Sequence, residues 1–294
     1  MLSSNQCRLN DLGPVHRNYR PHQSPAIAHV AKPVSLVPAP AEARAARVTN
    51  VAPLAPVVAI RDFKAHCQTC NMRELCLPVA FNSDEMKQFD ALVTHRTKLD
   101  KNETLYRGGD AFHALYAIQF GSLKTAVLAD DGREQIVGYH ILGEIIGFDG
   151  IGADRHCVGA IALENTELCA LPFNSIEKLA RTMPALQHNL HRMMSTQIAR
   201  DQSAMLMLGS MHAEERLAVF LLNLADRYRR RGYSSTEYVL RMTREEIGSY
   251  LGLKLETVSR LFSRFQGEGL IQIQGRAVKL LDTVALKGLV GQRG

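Results

Sequence analysis

The segment TREEIGSYLGLKLETVSRLFSRF, Thr243 to Phe265, constrains this chain more than any other stretch. Thr243 can cap a helix, and Glu246 three residues on completes a capping box. Ile247, Tyr250 and Leu251 give that helix a buried face, and Gly252 supplies a tight turn. A second helix is predicted from near Leu255, with Val258, Leu261, Phe262 and Phe265 turned inward. Two short helices joined by a turn with glycine form the helix-turn-helix pattern.

In the second helix Glu256, Ser259 and Arg260 fall at i, i+3 and i+4 and share the outer face. Their chemistry suits base edges: Arg forks onto guanine, Glu accepts from cytosine, and Ser approaches either of these or a thymine. The N-terminal part of a recognition helix is where such residues belong. Lys254, Arg264, Arg276 and Lys279 are placed to hold phosphates, which position a protein without reading sequence. Leu270 to Leu280 reads as a hairpin beside these helices, a wing. The competing reading is a structural three-helix unit with a solvated charged face.

Charge is divided in the same sense. The formal +6 splits into +4 over residues 1–60, −3 over 61–211 and +5 over 212–294. A basic end after an acidic middle suits a polyanionic partner. No apolar run approaches the ~20 residues of a membrane span, and the start MLSSNQCRLN lacks the apolar core of a secretion signal. We therefore expect a soluble, cytoplasmic protein; an organelle transit peptide is the weaker alternative.

Eight of the 11 prolines precede residue 57, so residues 1–60 are expected to form a disordered Pro/Ala-rich extension. Between Leu99 and Pro172 the pattern is one of short strands with glycine corners. Leu115 to Phe120, Ser122 to Leu128 and Glu134 to Tyr139 stand out, with Asp130-Asp131-Gly132 as a turn. This suggests a small antiparallel barrel or roll. After Pro184 the period changes: Leu186, Leu190, Met194, Ile198, Met205 and Leu208 mark a helix of more than 20 residues. A long helix with a narrow apolar seam usually packs on a copy of itself. The expected division is 61–183 for a cysteine-bearing segment and roll, 184–211 for a dimerisation helix, and 212–294 for the winged domain.

Cys67, Cys70 and Cys76 form C-x2-C-x5-C in HCQTCNMRELC. Three thiolates in ten residues favour metal binding over disulfides in a reducing compartment. They need a fourth ligand, for which Cys157, Cys169, His66 and Cys7 are the candidates. Spacing alone leaves an iron–sulfur cluster, a zinc ion and unmetallated thiols all open. No G-x-S-x-G, phosphate loop or H-E-x-x-H is present, which argues against an enzyme.

From about residue 64 to about 282 the chain resembles the family of the catabolite activator protein and the fumarate-and-nitrate-reduction regulator. HCQTCNMRELCLP, LYAIQFGSLKT, GFDGIG, LENTELCALPF and ETVSRLFSRFQ carry the likeness, most specifically to the second of these. The resemblance implies an α+β chain: an N-terminal β-roll of the cyclic-nucleotide-binding jelly-roll kind, a long dimerisation helix and a C-terminal winged helix-turn-helix.

It also implies roles. Cys169, ahead of Ala-Leu-Pro-Phe, matches the distant fourth ligand of one [4Fe-4S] cluster per subunit, and Leu75 matches a position that shields it. By the same match Cys157 is an extra thiol. Asp201, with Ile198 on the helix seam, matches an acid that keeps the cluster-free form monomeric. Asp130, Asp131 and Gly132 match a patch that touches RNA polymerase. Glu256, Ser259 and Arg260 imply palindromes of the TTGAT-N4-ATCAA type. Cyclic-nucleotide binders carry Gly-Glu-x-x-Gly followed by Arg-Ser. Gly143 to Gly147 keep the first element, but Val158-Gly159 replace the pair, so no cyclic nucleotide is expected and the glycines read as a roll corner. The function implied is an oxygen-responsive regulator of anaerobic genes. The alternative is a regulator of the same family with another effector, its cysteines holding zinc or nothing.

Overall fold

The computed structural model describes residues 67, 70, 72, 75–78, 80–93, 95–128 and 134–290. The Pro-rich extension, Cys7, His66 and the Asp130, Asp131 and Gly132 turn lie outside the described residues. The first described helix is α1 (Ser83–Asp90), which Asn82 and Glu85 start with a reciprocal capping box. Eight strands follow: β1 (His95–Leu99), β2 (Thr104–Tyr106), β3 (Ala114–Phe120), β4 (Ser122–Leu128), β5 (Glu134–Ile141), β6 (Ile145–Ile146), β7 (Gly159–Ala162) and β8 (Thr166–Pro172).

They make two four-stranded antiparallel sheets, ordered β1-β8-β3-β6 and β2-β7-β4-β5. Leu99, Ile118, Leu123, Ile146 and Leu168 fill the space between the sheets. Each of these side chains contributes about 1.5–3 kcal/mol by leaving water. This is the expected roll, and strand β4 has the bounds read from sequence.

Next come α2 (Phe173–Ala180) and α3 (Pro184–Ser210), the latter 27 residues long and opened by a proline in its first turn. Its apolar positions do not form one free stripe. Leu186 and Leu190 are buried with Leu77, Phe89 and Ile176 against the roll, and Met207 is buried in the C-terminal core. What remains outside is Ile198 (55% exposed), Met205 (73%), Leu206 (61%) and Leu208 (38%), with Met194 half-buried.

The C-terminal part comprises α4 (Ala213–Arg229), β9 (Glu237–Val239), α5 (Arg244–Leu251), α6 (Leu255–Gly267), β10 (Ile271–Gln274), β11 (Ala277–Leu280) and α7 (Thr283–Val290). Strands β10, β11 and β9 pair in that order, so the expected hairpin wing gains a third strand. The core of this part runs into the roll: Ile136 and Tyr139 of β5 pack with Leu217, Leu221 and Ile247. Ser249 of α5 bonds the same strand, accepting from Ile136 N at 3.0 Å and donating to Glu134 O at 3.3 Å. Lys124 of β4 bridges Glu134 at 2.8 Å and Glu246 at 3.1 Å. Among the described residues no helix is long and apolar enough to cross a membrane.

Candidate nucleic-acid interface and thiol pocket

The predicted motif is built as local rules require. Thr243 Oγ1 accepts from Glu246 N at 3.1 Å while the Glu246 carboxylate accepts from Thr243 N at 2.7 Å. Helix α5 ends at Gly252, whose φ of 63° is the left-handed conformation that glycine tolerates best. Gly248 is required for a different reason: a Cβ there would stand 2.6 Å from Leu253 O, inside the turn. Val258, Leu261, Phe262 and Phe265 bury one face of α6. Glu256, Ser259 and Arg260 lie exposed on the other, as a reading face requires.

The phosphate-contact candidates divide into two kinds. Lys254 and Arg276 are exposed, one at the N-terminus of α6 and one in the wing turn. Lys279 is exposed beside Glu237 at 3.9 Å. Arg264 instead spends its guanidinium within the protein, on Glu268 at 2.7 Å and on Glu214. It would have to exchange these carboxylates to reach a phosphate. Arg244, to which no motif assigns a role, sets its guanidinium carbon over the Phe262 ring, 3.3 Å from the centroid, and links α5 to α6.

The fold brings together cysteines as much as 102 positions apart, Cys67 and Cys169. Cys67, Cys70, Cys76 and Cys169 are free thiols that line one cavity of about 30 Å³, walled by Met72, Phe89, Val93, Ala117 and Leu171. Cys169 reaches it from β8, between Arg96 of β1 and Ala117 of β3. Cys67 N donates to Asp90 at the end of α1, and Cys76 N donates to Met72 O at 3.1 Å. Cys157 is not among the free thiols and does not line this cavity.

The apolar walls set the chemistry. Burial pushes the Cys169 thiol up to about 11, with repulsion from Cys70 adding to it and Arg96 opposing. Burial likewise pushes Cys76 up to about 12, and Cys67 rises further, with Cys76 and Asp90 contributing. Each of these thiols is therefore protonated at neutral pH unless a cationic group draws the protons off. Among the described residues no three His, Cys, Asp or Glu side chains converge as they would on a single ion. Four soft sulfur donors lining one apolar pocket have the chemistry to hold a thiolate-ligated metal group.

The remaining predicted positions are placed as follows. Asp201 is exposed on α3 and accepts from Gln197 Nε2 at 2.8 Å; partial burial raises its pKa, against Gln197 and Arg200. Leu75 lies over Gly143 so closely that a Cβ there would be 3.1 Å from its Cδ1. The Gly143–Gly147 stretch does more than turn a corner. Glu144 is buried and accepts from Arg227 Nε at 3.0 Å and Nη2 at 2.6 Å, and from Arg231 Nη2 at 3.0 Å. Arg200 approaches it from α3 at 3.2 Å. Three guanidiniums, from α3, α4 and the turn after α4, thus share one carboxylate of the roll.

Comparison with known proteins agrees with both halves of the chain. Residues 96–183 match the cyclic nucleotide-binding domain family and residues 215–289 the Crp-like helix-turn-helix domain family. The chain is 47% identical over 228 residues to transcriptional regulatory protein btr of Bordetella pertussis, covering 78% of this chain and 94% of that one. It is 45% identical to transcriptional activator protein Anr of Pseudomonas protegens, covering 78% and 93%. The fumarate and nitrate reduction regulatory protein of Salmonella typhimurium is 41% identical, over 77% and 90%. The solved structure of FixK2 from Bradyrhizobium japonicum superposes with a TM-score of 0.62 at 29% identity, covering 68% of this chain and 98% of that chain. These relatives are transcription regulators and not enzymes, and a DNA-binding domain of their kind ends this chain. The chain belongs to the family of the catabolite activator protein and the fumarate and nitrate reduction regulator.

Proposed function

We propose that this chain is an oxygen-responsive transcription regulator whose Cys67, Cys70, Cys76 and Cys169 hold one [4Fe-4S] cluster per subunit. The observation that carries the reading is the set of four free thiols lining a single apolar cavity. Likeness to a fumarate and nitrate reduction regulatory protein and to an activator named Anr supports it. When bound, such a cluster supplies oxygen sensitivity, because it is stable without oxygen and is degraded in its presence.

The chain's own residues do the rest. The segment bearing three of the cysteines packs Leu75 onto the Gly143 corner, beside the arginines that Glu144 collects from α3 and α4. Order in that segment is thereby passed to the long helix. Two copies meet along Ile198, Met205 and Leu208, and Asp201 opposes the meeting until the segment is ordered. The dimer presents two α6 helices to a TTGAT-N4-ATCAA-type palindrome, read by Glu256, Ser259 and Arg260. RNA polymerase is the further partner, met through exposed loops; Asp130, Asp131 and Gly132 are proposed for it on resemblance alone. The protein works in the cytoplasm.

The deciding experiment is an absorption spectrum with iron and sulfide analysis on protein purified without air, then exposed to it. A brown protein with about four irons per chain that bleaches in air is expected for such a site. A colourless protein after anaerobic reconstitution would leave a regulator of this family with a different signal.

A further inference from the structure

Three neighbouring strands of the first sheet set a row of side chains beside the thiol cavity. Arg96 of β1 stands directly opposite Cys169 of β8, which in turn stands directly opposite Ala117 of β3. Residues opposed in this way share one face of a sheet. Cys169 and Ala117 line the cavity, so Arg96 lies on the cavity side of that sheet, next to the Cys169 thiol. The Nε of Arg96 is buried and has no hydrogen-bond partner.

Strand β3 brings a second polar atom in the same condition. Its pairing with β8 slips between Ile118 and Phe120, which leaves Gln119 unopposed in a bulge. A bulge re-aims the side chain it carries. Gln119 lines the cavity with the four cysteines, and its Oε1 is buried without a hydrogen-bond partner. The amide carries N–H donors as well and can turn to present them. Buried polar atoms without partners are few in native proteins, and these two stand beside one cavity.

Charge points the same way. Asp90 acts against ionisation of Cys67, and Glu167 against that of Cys169. Arg96 acts in favour of the Cys169 thiolate. Lys98 holds Glu167 at 3.0 Å, so that carboxylate is matched by a cation other than Arg96. A guanidinium keeps its charge in any protein and has only donors to offer. Thiolates gathered on a metal group bring net negative charge into an apolar cavity, which is costly unless a cation offsets it.

We propose that Arg96, with Gln119 beside it, is the positioning residue for Cys169: its fixed positive charge and unpartnered N–H hold the thiolate and offset the negative charge collected in the cavity. Net charge and hydrogen bonds to sulfur set the potential of an iron–sulfur centre, so Arg96 also sets how readily this one is reduced. The inference rests on the cluster reading of the four cysteines.

The test compares wild type, Arg96→Met, Arg96→Lys and Gln119→Leu after anaerobic reconstitution of the full chain. Iron release to EDTA without oxygen and the midpoint potential are read for each. Arg96→Met, of similar reach but uncharged, is expected to release iron at least about tenfold faster and at a lower potential, while Arg96→Lys stays within about threefold of wild type. Gln119→Leu should fall between them, and wild-type behaviour there would strike Gln119 from the proposal. Unchanged release and potential in Arg96→Met, or no rescue by lysine, would overturn the role of Arg96 and leave the cluster reading standing. A wild type that takes up no iron would overturn both. Melts of the cluster-free variants complete the test, since a purely structural role for Arg96 would move the melt and not the potential.

Discussion

Glu144 and Arg227 form a two-bond ion pair, Nε to Oε1 at 3.0 Å and Nη2 to Oε2 at 2.6 Å, joining a corner of the roll to the first helix of the DNA-binding part. Burial acts to raise the Glu144 pKa, but Arg227, Arg200 and Arg231 outweigh it and hold the carboxyl at about 2. His140 lies 3.9 Å from the same carboxylate. For it burial wins: despite Glu144 it falls to about 4, with Arg227 and Arg200 adding to the fall.

Both shifts make the fold acid-sensitive, in different windows. The unfolded chain protonates His140 from about pH 6.5 while the folded chain resists until about 4, so its contribution is lost on acidification across that interval. Glu144 contributes fully above about 4.5 and loses its contribution as pH falls toward 2. Urea unfolding followed from pH 7 to pH 4 should show falling stability in the wild type. His140→Gln, which keeps a polar partner for Thr125 Oγ1 (3.1 Å from His140 Nε2), should flatten the curve by at most about 3 kcal/mol. An unchanged slope in the variant would place the acid sensitivity elsewhere.

The DNA face separates reading from holding. Arg260→Ala should cost about 1–3 kcal/mol on the preferred palindrome and relax discrimination at one base position. Lys254→Ala or Arg276→Ala should weaken all sequences alike and reduce the salt slope of log K by about one. Arg264→Ala is expected to do less than either, because Glu268 and Glu214 already hold that guanidinium. Fluorescence anisotropy on matched and scrambled duplexes across a potassium chloride series measures affinity, discrimination and salt slope for all four variants.

What was legible in the sequence is what local rules decide. The Thr243–Glu246 capping box, the Gly252 stop and the bounds of β4 all follow from neighbours within a few residues. Glu144 escaped because its partners Arg227 and Arg231 stand 83 and 87 residues away, on α4 and in the turn just after it, whose own pattern says nothing about the roll. The α3 seam was overdrawn for a similar reason. Period reveals which residues are apolar together, but not that Leu186, Leu190 and Met207 are already buried within the same chain. Cys169 was found by resemblance, since nothing in its spacing from Cys76 singles it out over Cys157.

Cys169→Ser isolates the distant ligand from the local triad. The thiol is half-buried in β8, and serine is nearly isosteric, so the roll should keep its far-ultraviolet dichroism and melt within about 1 kcal/mol of wild type. Iron and sulfide after anaerobic reconstitution should fall from about four per chain to a small fraction, since an iron left with a hydroxyl donor is poorly held. Full retention of iron would remove Cys169 from the ligand set and return the fourth position to the other candidates.

Asp201 tests how the dimer is switched. Its carboxylate sits on the half of α3 that leaves Ile198 and Met205 exposed, and partial burial already raises its pKa in a single chain. Bringing two copies together along that seam would desolvate both carboxylates and set like charges face to face. Asp201→Ala removes that cost and should tighten self-association of cluster-free protein by at least about tenfold, about 1.4 kcal/mol. Ile198→Glu should act oppositely and hold even reconstituted protein as monomer, because it puts a second charge on the apolar strip. Sedimentation velocity over a concentration series reads both. Only monomer from cluster-free Asp201→Ala would show that the seam lacks the apolar area to associate alone, and that the cysteine segment supplies contacts rather than merely offsetting repulsion.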